Sequence, residues 1–155
     1  MFKPELKYSR SGMPAISNGD IETLEERMAV DFDHTSLFNS LPIDIQRFVE
    51  KYLKMPIAFI NLSHCGVYLG TTVFQTTDYL HVYIPKDKCA DYTHVEAGTV
   101  VIDGSLDNEK QEHRLRFTLG HGVGHGVFHP SYFLNNTVYA QDMAEESWAP
   151  LGERL

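Results

Sequence analysis

At 155 residues, with 43% hydrophobic and 12% aromatic content, the chain has the composition of one globular domain with a buried core, not of a disordered one. A formal charge of −8 argues against nucleic-acid binding through a broad basic surface. No run approaches the roughly 18 apolar residues of a membrane span, and the N-terminus MFKPELKYSRSG lacks an apolar leader, so the cytoplasm is the expected compartment.

Residues 1–18 carry Pro4, Gly12 and Pro14 among polar residues and read as an irregular lead-in, with Ser17 or Asn18 able to cap a helix beginning there. Asp20 to Asp33 places Ile21, Leu24, Met28 and Phe32 at helical spacing behind an acidic first turn, which predicts a first helix. A second is expected after Leu41-Pro42, with Ile43, Phe48, Val49, Tyr52 and Leu53 as its apolar stripe, Pro42 in its first turn and Pro56 at its end.

From Ile57 the period shortens. Five short β-branched and aromatic runs, over 57–62, 66–69, 71–74, 79–84 and 98–103, predict a small, mostly antiparallel sheet of three to five strands. Cys65 and Cys89 have neither metal-ligand nor redox spacing and read as free thiols. From Glu109 to about Phe128 the pattern is helical again, with Leu115, Leu119 and Val123 on one side. A last helix is expected from about Asp142, stopped by Pro150. Helices, then strands, then helices argue an α+β domain over residues 1–155.

The third helical segment carries the chemistry. It contains His121-Gly-Val-Gly-His125, one residue away from H-E-x-x-H, in which two histidines one turn apart bind zinc and the glutamate is general base. His121 and His125 are the candidate ligands, and Gly122 stands where the base belongs. Gly120, Gly122, Gly124 and Gly126 alternate through the segment, although each interior glycine costs a helix about 1 kcal/mol relative to alanine. Close packing against a neighbour, or the removal of a side chain, would explain such a choice.

The stretch from Arg114 to His129, RLRFTLGHGVGHGVFH, resembles the R-x-R-F-T-L-A-H-E-x-G-H-x-x-x-H signature of the ImmA/IrrE family of zinc metallopeptidases. The resemblance covers roughly residues 20–130. Upstream, Leu69-Gly70, Val73-Phe74, Tyr83-Ile84 and the run from Gly98 to Asp103 resemble the strands that precede that family's zinc helix, so a zincin-like helix carrying H-x-x-x-H is implied. The family's third ligand is an acid on a later helix, which implies Glu145, with Glu146 and Asp142 as alternatives. These acids could equally be the charged first turn of the last helix. The chain ends soon after, at Leu155, and truncation there would leave room for a ligand beyond it.

His129, two turns from His121, is too far on a straight helix to share a cation and is expected to pack or hydrogen-bond. Arg116 is read either as a solvated helix residue or as an anchor behind the zinc helix. The remaining histidines, His34, His64, His81, His94 and His113, are read as structural or surface groups. Glu112, half a turn round the wheel from His121, cannot stand in for the missing base.

The resemblance thus implies a zinc-binding domain of a bacterial or phage setting that is inactive or nearly so as a peptidase. Its expected partner is a protein or peptide, such as a helix-turn-helix regulator, with neither direct nucleic-acid contact nor membrane. Two alternatives stay open: an active peptidase carrying an engineered Gly122, and a regulatory module on the same fold that binds no metal.

Overall fold

A computed structural model describes residues 4–39 and 41–135. Helix α1, Asn18–Phe38, starts on a capping box: the Ser17 side chain accepts from the Asp20 N–H, and the Asp20 carboxylate accepts from the Ser17 N–H. It is longer than the apolar periodicity indicated, and it kinks at Asp33. The cause is local, since the Asp33 carboxylate accepts from both the N–H and the hydroxyl of Thr35 and competes with the helix ladder.

The second helical segment begins later than expected, at α2, Ile45–Arg47, because Asp44 caps it and leaves Pro42 ahead of the first turn. It continues as a π-helical turn over Phe48–Tyr52. That turn stacks Phe48 on Tyr52 and sets both edge-on to Phe32 of α1, while the Tyr52 hydroxyl donates to Asp31.

The chain is α+β, and five strands come next: β1 Ile57–Ile60, β2 Gly70–Thr72, β3 Thr77–Ile84, β4 Cys89–Val95 and β5 Val100–Asp103. They do not form one sheet. β1, β5 and β2 make a three-stranded sheet with β5 central, parallel to β1 and antiparallel to β2, while β3 and β4 pair separately as an antiparallel hairpin. Two sequence readings change accordingly. Residues 66–69 are not a strand, and β4, which the sequence did not mark, pairs along most of β3.

Strand β5 explains the core. Every one of its residues is buried, as its unbroken apolar run requires of a strand covered on both faces. Val100 and Ile102 face one cluster with Val49, Leu106, Leu119 and Val123; Val101 faces the other, with Leu62, Val73 and Val95. The Asp103 carboxylate closes the end of β5 by accepting from the N–H groups of Leu62 and Ser105, which satisfies a buried charge through backbone donors.

Helix α3, Glu112–Phe128, lies on the first of these faces with Leu119 and Val123 in the core, as the sequence pattern indicated. A 3₁₀ turn over Glu109–Gln111 leads into it. Pro130 then opens α4, Pro130–Asn135, instead of simply ending the helix. The N-terminal lead-in is irregular apart from a bridge between Tyr8 and Pro14, and its Gly12, at φ 86°, lies against the backbone of Ser131 and Tyr132. Among the described residues, no helix is long and apolar enough to cross a membrane.

Candidate metal centre

Helix α3 and strand β2 wall a cavity of about 300 Å³, with Thr72, His121, Gly122, His125 and Phe133 among its lining residues. The two histidines were singled out by their spacing, and the helix does bring them together. Their Nε2 atoms lie 3.1 Å apart. The contact is a hydrogen bond, and its length is close to the roughly 3.3 Å between two nitrogens bound at 2.0–2.1 Å to one tetrahedral ion. Phe117, one turn earlier and 76% exposed, lies nearly parallel to His121 with ring centroids 6.3 Å apart.

His129 belongs to the same row but faces the other edge of His125. The Nδ1 atoms of His125 and His129 are 3.0 Å apart. His125 therefore meets His121 through Nε2 and His129 through Nδ1, and since the ring places those atoms on different edges, the three side chains do not converge on one point. Among the described residues no group of three His, Cys, Asp or Glu side chains is placed to hold a metal. Burial, reinforced by repulsion from His121 and His129, holds the His125 pKa below the usual imidazole value. That favours the neutral ring, the form that ligates metals.

Gly122 is buried, and its place on the helix explains its size. A Cβ there would come 3.0 Å from Val100 Cγ1 and 3.3 Å from Thr72 Oγ1. The Thr72 hydroxyl donates to the Gly122 carbonyl at 2.8 Å and ties the helix to the strand at this point. Gly126, one turn on, faces Met55 and Thr72. Gly120 and Gly124 face open space, and nothing in the structure explains them. Among the described residues, no aspartate or glutamate lines the cavity, in keeping with the wheel argument that placed Glu112 on another side.

Among the described residues, strand β2 is an edge of its sheet. The Asp103 N–H donates to the Leu69 carbonyl and the Val73 N–H to the Thr99 carbonyl, so residues 69, 71 and 73 turn their backbone groups toward β5. Alternation directs those of Gly70 and Thr72 to the free edge beside the cavity.

Arg116 is not brought to the histidines. It lines a separate cleft with Asp44, Glu109 and Glu112, between the start of α2 and the start of α3. Glu145, Glu146, Asp142 and Trp148, with the helix expected from Asp142, lie outside the described residues. Thr72 and Phe133 were not marked by sequence. Thr72 reaches the site through strand pairing, and Phe133 reaches it through α4, stacked on Phe74 with centroids 4.4 Å apart. Neither link has a local signature. No family model, curated protein or solved structure matches this chain.

Proposed function

We propose that this chain is a metallopeptidase-fold protein of the ImmA/IrrE type that binds zinc through His121 and His125, lacks the general base, and acts by binding a protein or peptide partner. The observation that carries the reading is the Nε2 pair 3.1 Å apart on the cavity wall, with buried Gly122 between them and, among the described residues, no carboxylate in the place of a general base. The acid completing the ligand set is Glu145, with Glu146 and Asp142 as alternatives. A helix-turn-helix regulator in a bacterial or phage cytoplasm is the partner that the sequence resemblance implies.

Zinc held there would act as a Lewis acid and lower the pKa of its bound water toward about 7. The chain's own residues set the rest. Were His125 to hold zinc through Nε2, its proton would stand on Nδ1, facing His129 Nδ1 at 3.0 Å, and His129 would then orient the ring. Position 122 offers no group to accept a proton, and loss of a positioned base lowers a rate by about 10²–10⁴. The outward backbone groups of Gly70 and Thr72 can pair with an extended segment alongside the cavity.

The fit of Gly122 against Val100 and Thr72 supports a glycine proper to this fold over one introduced to silence an enzyme. The test offers a co-encoded regulator to the chain and to Gly122→Glu, with zinc and with chelator, well below the melting temperature of either. The chain is expected to retain the regulator uncut. Zinc-dependent cleavage by the chain itself would overturn the reading, and failure of both binding and cleavage would remove the regulator as partner.

A further inference from the structure

The β3–β4 hairpin commits one face to the body and leaves the other in solvent. Leu80, Val82 and Val95 are turned inward, the first and last of them packed with the core beneath Val101. The opposite face aligns Tyr79 and His81 of β3 with Tyr92 and His94 of β4. Tyr79 is 75% exposed and Tyr92 53%, their rings meet edge to face at 6.1 Å, and His81 lies 4.5 Å from Tyr92. The cross-strand contacts of His81 and Tyr79 with Tyr92 support the hairpin, and they still leave the tyrosine rings largely open to solvent.

The open end of the same hairpin is acidic. The two ring nitrogens of His94 bond to carboxylates, Nε2 to Glu96 at 2.9 Å and Nδ1 to Asp78, and the Thr76 hydroxyl donates to Glu96. Two carboxylates around one imidazole leave the group net negative whether the ring is neutral or protonated, and both carboxylates are largely exposed. Lys86 and Lys88 sit at the other end, at the turn between the strands. Stackable rings next to carboxylates match one group among protein side chains, the planar guanidinium, which lies on aromatic faces and donates in pairs to carboxylate oxygens. A nucleic acid could stack its bases on the tyrosines, but its phosphates would face the acidic end.

We propose that the solvent face of the hairpin, Tyr79, His81 and Tyr92 with Asp78 and Glu96, is a docking surface for an arginine-bearing segment of a partner protein. This surface is separate from the histidine site and does not rest on zinc or on peptidase ancestry.

The probe is a fluorescein-labelled peptide of about ten residues alternating arginine and glycine, with its lysine counterpart, titrated onto the full chain at about 0.15 M salt. The arginine peptide is expected to bind about fivefold or more tightly than the lysine one. Y79S/Y92S, which changes no charge, should weaken it by about tenfold, D78N/E96Q should weaken it comparably, and Y79F/Y92F should retain it. Amide shifts of the unsubstituted chain on peptide addition should be confined to the hairpin, a readout that does not depend on how any variant folds. Equal binding of both peptides, shifts located elsewhere, or capture of a single-stranded oligonucleotide in place of the peptide would overturn the proposal.

Discussion

The two faces of helix α3 use the same residue in opposite ways. Toward the sheet, Gly122 brings the helix close to the Val100 and Thr72 side chains, and Gly126 admits Met55. Toward solvent, Gly120 and Gly124 meet nothing within van der Waals reach. The alternation is therefore not one motif. Half of it sets the distance between helix and sheet, and with it the position of the histidine pair; the other half weakens the helix with no packing in return.

The largest expected effect breaks the sheet side of this comparison. Gly122→Leu forces a branched side chain toward fully buried Val100 and should lower stability by about 1–3 kcal/mol, read by chemical denaturation. Unchanged or higher stability would show that the helix is not seated as described. On the solvent side the sign reverses. Gly120→Ala and Gly124→Ala should each raise stability by about 0.5–1 kcal/mol, because alanine is the better helix former and the space is open.

The smallest effect belongs to the hairpin, where exposed charge rather than packing is at stake. Hydrogen bonds to Glu96, then to Asp78, raise the His94 pKa above 6.5. A raised folded-state value means that the stabilisation is fully present below 6.5 and is lost as pH climbs through the raised value. Amide exchange in β3 and β4 should therefore quicken slightly as pH rises above about 6.5, beyond the intrinsic rate, and His94→Gln should abolish that component. An unchanged pH dependence in His94→Gln would rule out the His94 bonds to Asp78 and Glu96 as its source.

Much of the framework was legible in sequence because it rests on local patterns. The Ser17 cap, the Leu115, Leu119 and Val123 stripe, the unbroken apolar run of β5 and the i, i+4 histidines all depend on neighbours within a turn or two. What was missed depends on residues far apart. Strand β4 reads Cys-Ala-Asp-Tyr-Thr-His-Val, a polar text whose strand character comes from pairing with β3. Asp103 looked like the last residue of a strand, yet its carboxylate holds an amide 41 positions away. Thr72 meets Gly122 across 50 positions, so the physical reason for that glycine could not be found in the helix alone.

The proposed zinc site, with no base at position 122, is probed most directly through the metal content and zinc affinity of the purified full chain, by elemental analysis and calorimetric titration. One equivalent of zinc is expected, lost in both His121→Ala and His125→Ala, and bound about tenfold or more weakly in His129→Ala, where the ring of His125 loses its orienting partner. Absence of stoichiometric zinc after reconstitution, or binding that survives both His121→Ala and His125→Ala, would contradict it.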